Sequence, residues 1–244
     1  MNHNVTIIVP SYENDSYISD LHRILINEVP EEHIVYMAGS EHFAEKCNLG
    51  AMNAQTKYVL FLNNDTLPEK GFVQKLVDTL VKDDEWIATP MIIFHKTVVR
   101  HVLWNNEVQH VFGKRDKVQC AGVEFNKVAL PFEYGRMKEQ NDLSVKFRRR
   151  CLAVSGCCFL IDREKFISLG GFDEEFVNGW EDNDFMLRVL ENGGVCVYEP
   201  EAKVRHHFAG SEGRFDNEEE NYNRFVQKWN GRNVKIIMDA RKRL

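Results

Sequence analysis

Residues 46 to 69 read KCNLGAMNAQTKYVLFLNNDTLPE, and the order of residue types in that stretch decides the fold. Cys47, Gly50, Ala51 and Ala54, with Phe43 ahead of them, recur at helical spacing as a stripe of mostly small residues suited to close packing on a sheet. The apolar run 58–62 is short enough for a buried strand. Asn63, Asn64 and Asp65 follow it directly, at the carboxyl end of the strand, where open α/β sheets bind their ligands.

The same alternation extends outward. The run 5–9 is β-branched and is expected to stop at Pro10, leaving Ser11, Tyr12 and Glu13 at its mouth. Ile18, Leu21, Ile24, Leu25 and Val29 then fall at helical spacing, and 34–37 makes a second short strand. Three βα alternations in about 65 residues predict a parallel, right-handed, doubly wound sheet. Beyond it the pattern predicts a helix over 71–81 and a strand over 86–94. Residues 95–150 show few clean periods and read as a long excursion of irregular strands and loops. A strand is expected over 153–161, with Gly156 inside it where something approaches the backbone. A helix over 163–169 should end at Gly170 and Gly171, and another should open at Glu181. A strand over 195–198 should break at Pro200, a short one is expected at 204–207, and the chain from about Glu218 reads as helical.

Composition bounds the class. With 244 residues, 43% hydrophobic and 28% charged, the chain fits one α/β domain with appendages and excludes collagen-like, disordered and disulfide-scaffold types. No stretch approaches 18 apolar residues, and the six cysteines contain no CxxC pair, so a cytoplasmic protein with buried free thiols is expected. The net charge of −6 speaks against a general nucleic-acid binder. It conceals blocks: positions 162 to 220 hold 16 acidic and 6 basic residues, positions 221 to 244 hold 7 basic and 1 acidic. That basic tail is a candidate for peripheral contact with anionic lipid, for a solvated helix or for a dimer contact.

Three clusters carry chemistry. Asp65 at a strand's carboxyl end is a ligand type for Mg²⁺ or Mn²⁺, with the Asn63 and Asn64 amides near a sugar or ribose hydroxyl; a turn or helix cap is the simpler alternative. Glu181, Asp182 and Asp184 crowd three carboxylates into one helical turn. Asp184 and Arg188 are spaced for an ion pair, which leaves Asp182 and Glu181 as the candidate general base and its partner. His206 and His207 supply imidazoles ahead of Gly210 and Ser211, whose backbone N–H groups suit a phosphate.

The segments VTIIVPSY, KCNLGAMNAQTKYVLFLNNDTLPE, VSGCCFLIDREKFISLGGFDEEFVNGWEDNDFMLRVLENGG and VRHHFAGS, in that order over roughly residues 4 to 211, resemble the inverting glycosyltransferases of family 2, especially their rhamnosyltransferase-like branch. The resemblance implies an α/β fold of GT-A type: a single Rossmann-like, mostly parallel sheet flanked by helices, with a C-terminal helical extension. It implies a glycosyltransferase domain over 1–215, split into a nucleotide-binding half at 1–94 and an acceptor-binding half at 95–215, and an extension over 216–244. The implied reaction is metal-dependent transfer of a sugar, rhamnose among the candidates, from a UDP- or dTDP-linked donor to a hydroxyl of a glycan or lipid-linked acceptor. By similarity Asp65 and His206 are the Mn²⁺ or Mg²⁺ ligands and Asp182 the base, with Glu181 beside it. The nucleotide sugar would be met by Pro10, Ser11, Tyr12, Glu13, Lys46, Asn48, Asn63, Asn64 and Gly156, and the acceptor by Gly179 and Trp180. Ala38 and Cys47 depart from the family's usual Asp and Arg, and Asn63 stands in the first position of the metal motif, leaving Asp65 as its acid. A nucleotide-sugar-forming nucleotidyltransferase would want a glycine-rich loop after the first strand, where PSYENDSY has none. A non-catalytic carbohydrate-binding domain is the third reading.

Overall fold

In the computed structural model the described residues are 1–11, 16–39, 41–83, 85–104, 107–208 and 216–244, with backbone alone at 83, 100–104 and 107–111. The chain opens with β1 (Val5–Ser11), α1 (Ile18–Leu25), β2 (Ile34–Ala38), α2 (Phe43–Asn53) and β3 (Tyr58–Leu62). Strand β1 pairs in parallel with both β2 and β3, and every residue of β1 and β3 is buried, as two-sided apolar strands require. Helix α2 lies close on β1: a Cβ at Gly50 would come within 2.7 Å of Ile8 Cγ2, so the small-residue stripe is what admits the helix.

Next come β4 (Thr66–Pro68), α3 (Phe72–Asp83), β5 (Ile87–Phe94), β6 (Val98–Trp104), β7 (Glu107–Gly113), β8 (Val118–Cys120), β9 (Val123–Phe125), β10 (Pro131–Glu133) and β11 (Arg149–Cys151). The chain finishes with β12 (Cys158–Asp162), α4 (Arg163–Ser168), α5 (Glu181–Glu191), β13 (Cys196–His206), α6 (Glu218–Trp229) and α7 (Arg232–Arg241). The main sheet runs β11-β13-β5-β12-β3-β1-β2, with β4 on β13 and β8 on β5. Helices flank it, and it is mixed rather than mostly parallel. Strand β12 runs against both β3 and β5, and β4, β8 and β11 add further antiparallel pairs.

Four local expectations are corrected. Pro10 does not end β1; it pairs with Met37 of β2 inside the strand. Pairing with β3 stops at Ile8, so one side of β1 needs no donor at position 10. The strand expected over 153–161 starts only at Cys158, because the chain turns at Gly156 and Cys157. Pro200 does not break the last strand; β13 is continuous, with a register shift between Glu199 and Lys203 that absorbs the proline. Residues 95–150 hold more order than their periodicity suggests: β6 and β7 form a separate hairpin, β9 and β10 another.

The core is aromatic beneath the site. Phe61, Phe159, Phe166, Phe172 and Phe185 pack ring on ring, joining β3, β12, α4 and α5. Phe225, Trp229, Ile237 and Ala240 bury one face of the C-terminal helices. The basic tail is matched to the acidic block before it: Lys228 meets Asp173 at 2.6 Å and Asp184 at 2.8 Å, Arg232 meets Glu191 at 2.6 Å, and Arg224 pairs with Glu175. Arg241 and Arg243 donate to the carbonyls of Phe125 and Leu190. The charge alternation read from the sequence is thus met within the chain. Among the described residues no helix is long and apolar enough to cross a membrane.

Candidate active site

The carboxyl ends of β1 and β3, the turn before β12, the start of α5 and the end of β13 converge on a cavity of about 500 Å³. Asp65 enters it from the turn after β3. Asn63 is held there by its N–H to the Cys157 carbonyl at 2.9 Å, Thr66 Oγ1 donates to the Asn63 carbonyl at 2.7 Å, and the His207 N–H donates to the Asp65 carbonyl at 2.9 Å. Strand β13, paired with β4 so that His206 faces Thr66, brings His206 Nε2 to 3.1 Å from Asp65 Oδ1. Both side chains are buried. Burial opposes ionisation of Asp65, but the charge and hydrogen bond of His206, with His207 behind it, hold its carboxyl below the usual range.

His206 Nδ1 lies 2.9 Å from Gln119 Oε1, and Gln119 Nε2 donates to Glu133 Oε1 at 3.0 Å. The amide's orientation is therefore fixed, its oxygen toward the ring, and Nδ1 must carry the hydrogen. In its neutral form the ring presents the Nε2 lone pair toward Asp65 Oδ1, a geometry in which the two side chains would share a cation in place of the proton. One carboxylate and one imidazole, with room for phosphate oxygens and water, is a donor set that suits Mn²⁺ or Mg²⁺. Among the described residues no group of three or more His, Cys, Asp or Glu is placed to hold a metal ion by itself.

Asp182 stands in the first turn of α5. Its Oδ2 accepts from the Gly156 N–H at 2.8 Å, and its Oδ1 from the backbone and side-chain N–H groups of Asn183 at 2.8 and 2.9 Å. Three donors aim the carboxylate and leave lone-pair capacity for a further hydrogen bond. Glu181 beside it is buried against the cavity. Asp184 points the other way, into an ion pair with Arg188 at 2.9 Å, as its spacing predicted.

A sequence model described as Glycosyltransferase like family 2 matches residues 3–210. The chain belongs to this family. Its α/β sheet flanked by helices is the GT-A-like fold. The chain is 44% identical over 61 residues to the N-acetylglucosaminyl-diphospho-decaprenol L-rhamnosyltransferase of Mycobacterium tuberculosis, a match over 25% of this chain and 20% of that protein. It is 25% identical over 169 residues to an O-antigen biosynthesis protein of Myxococcus xanthus, over 67% of this chain and 12% of that one. A crystal structure of GalNAc-T7 with UDP, GalNAc and Mn2+ superposes with a TM-score of 0.62 at 16% identity, covering 94% of this chain and 49% of that one. The matches thus span a fifth or less of the two curated relatives and about half of the solved chain.

In this family member Pro10, Ser11, Lys46, Asn63, Asn64, Asp65, Gly156, Trp180, Glu181, Asp182 and His206 all line the same cavity. Tyr12, Glu13, Gly210 and Ser211 lie outside the described residues. Asn48 is placed elsewhere: its amide clamps the Phe172 backbone on both sides, at 2.9 and 2.8 Å, fastening α2 to the loop before α5. Gly179 sits beside the cavity wall rather than in it. Lys46 is buried, and its ammonium donates to the carbonyls of Ser11 at 2.8 Å and Gly39 at 2.9 Å, tying the ends of β1 and β2 together. Burial lowers its pKa, against the pull of Glu41, Cys47 and Glu45. Trp180 takes a left-handed backbone, φ 73°, uncommon for a bulky residue and found where a site demands it. Its indole N–H donates to Glu218 at 2.8 Å, and its ring packs on Tyr222 and Phe225.

The periodicity gave no sign of Gln119, Glu133 or the apolar wall of Val123, Leu130, Pro131 and Phe132, which come from the irregular excursion. Glu218 and Tyr222 were legible only as helix residues of the extension. Polar types within short strands, the buried Gln119 and the half-buried Glu133, were the available signal.

Proposed function

We propose that this chain is a glycosyltransferase that moves a sugar from a nucleoside diphosphate donor to an acceptor hydroxyl with inversion, Asp182 acting as general base. The observation that carries the reading is that the aimed carboxylate of Asp182 and the Asp65–His206 pair open into the same cavity. Asp182 takes the proton of the acceptor hydroxyl as its oxygen bonds to the anomeric carbon; the bond from that carbon to the diphosphate oxygen breaks, and its electron pair leaves with the diphosphate. A single displacement inverts the anomeric centre. Asp65 and His206 would hold Mn²⁺ or Mg²⁺, which supplies charge neutralisation for the departing diphosphate.

The donor fits a UDP- or dTDP-linked sugar at Pro10, Ser11 and Lys46, with Asn63, Asn64 and Gly156 along the sugar and phosphates. Rhamnose is the first sugar to try, from the likeness to the mycobacterial rhamnosyltransferase. Trp180, with Tyr222 behind it, offers a face on which an acceptor sugar stacks, and a glycan or lipid-linked acceptor belongs there.

The test is a thermal-shift and donor-hydrolysis screen of UDP-, dTDP- and GDP-sugars with and without Mn²⁺ or Mg²⁺. One nucleotide should raise the melting temperature only with metal, and Asp65→Ala should abolish that rise. A donor that stabilises equally without metal, or no donor at all, would count against the reading.

A further inference from the structure

Gln119 sits on β8, in the stretch of sequence with no motif, yet it is 2% exposed and makes the bond that decides which nitrogen of His206 faces the cavity. Its own amide cannot turn over, because Nε2 is committed to Glu133 on β10. Glu133 in turn is paired with Arg136, whose guanidinium lies over the rings of Phe94 and Phe208 at 4.9 and 5.1 Å and donates to the Phe112 carbonyl at 2.9 Å. The donors therefore converge on Glu133, Arg136 from one side and Gln119 from the other, with His206 donating to Gln119 in turn. At the far end a neutral imidazole offers its Nε2 lone pair, rather than an N–H, toward Asp65.

We propose that Gln119, oriented by Glu133, is a positioning residue that keeps the Nε2 of His206 bare toward Asp65 and so sets the affinity of that pair for a divalent cation. The proposal rests on the metal reading above and deepens it. Without the Gln119 acceptor the neutral ring gains by moving its hydrogen to Nε2, where it bonds Asp65 Oδ1 and competes with a cation for both ligands. Partners of this kind behind a metal-bound histidine typically contribute about 10- to 100-fold in metal affinity.

The experiment uses the full chain and Mn²⁺ alone as probe, with free Mn²⁺ followed by electron paramagnetic resonance and the imidazole nitrogens by ¹⁵N NMR. Gln119→Met keeps the side-chain length and removes the amide; Gln119→Leu serves if that variant folds poorly, with circular dichroism in metal-free buffer as the control. Both should weaken Mn²⁺ binding by about 10- to 100-fold and shift the neutral His206 signal away from the Nδ1–H form. The exchanged pair Gln119→Glu with Glu133→Gln restores an acceptor toward the ring and a donor behind it, and should recover most of the affinity. A wild type that binds Mn²⁺, with a folded Gln119→Met variant that binds as tightly and keeps its Nδ1–H signal, would overturn the inference alone. A wild type without measurable Mn²⁺ binding, unaltered by Asp65→Ala, would overturn the metal reading and the inference with it.

Discussion

The carboxylate of Asp182 accepts the backbone N–H of Gly156 at 2.8 Å, so the first turn of α5 is tied to the turn that precedes β12. An Asn at position 182 keeps one oxygen to accept from Gly156 or from Asn183, turns its NH₂ toward the other, and cannot take a proton. Asp182→Asn should therefore cost about 1–3 kcal/mol of stability with donor binding retained, while sugar transfer falls by about 10²- to 10⁴-fold. Gly156→Ala addresses the same contact from the other side, because its Cβ would stand 3.2 Å from Asp182 Cβ and Oδ2. Transfer assays on Gly156→Ala should show a drop in kcat of about tenfold from the displaced carboxylate, with the fold retained.

Lys228 joins α6 to α5 through Asp184, whose side chain is fully buried and also receives Arg188 and the Trp229 indole N–H. Lys228→Met leaves Arg188 in place but removes a donor from a buried carboxylate. Urea unfolding should show a loss of about 1–3 kcal/mol. A variant as stable as the wild type would mean that Arg188 and Trp229 suffice.

Gly50 admits helix α2 to the sheet. A Cβ there would stand 2.7 Å from Ile8 Cγ2 and 3.2 Å from Cγ1, and both atoms are locked in the core. Gly50→Val should cost about 1–3 kcal/mol by overpacking, measurable as a lower denaturation midpoint, even though valine is no worse than glycine in a helix.

All six cysteines are buried, and burial pushes their thiols up, that of Cys151 to about 12. In the unfolded chain the same thiols ionise near about 8.5. Above that value the unfolded state loses protons that the native state keeps, so stability present at neutral pH declines as pH rises from there toward 12. Melting temperatures from pH 7 to 10 should fall above about pH 8.5, and a thiol reagent at pH 8 should label the cysteines only after unfolding. Labelling of the native protein at the rate of free thiols would contradict the burial.

How much of this was legible in the sequence divides by residue type. The βαβ start was readable because its strands are apolar on both faces and its helices carry clean stripes; β3 begins and ends, and α5 begins, at the positions their patterns mark. Asp65, Asp182 and His206 were readable because each sits where a strand or helix ends in an unusual cluster of ionisable groups. The middle third was not. Strands β8, β9, β10 and β11 are three residues long, too short for alternation to register. What holds them is pairing with distant elements, as Val118 and Cys120 pair with β5, and no local pattern encodes such a partner. Gln119 was invisible for that reason. The tail's cations were visible, but their partners, Asp173, Asp184 and Glu191, emerge only when α6 and α7 dock.

The alignment of β13 with β4 sets Val204, Arg205 and His206 opposite Pro68, Leu67 and Thr66. Side chains alternate along a strand, so a slip by one residue would present Arg205 or His207 where His206 now stands. The Asp65–His206 pair therefore exists only after the two ends of a long loop have met and locked in one register. A cation that needs both ligands has nothing to hold before that closure, so it would leave the rate of folding unaltered and act by slowing escape from the finished state.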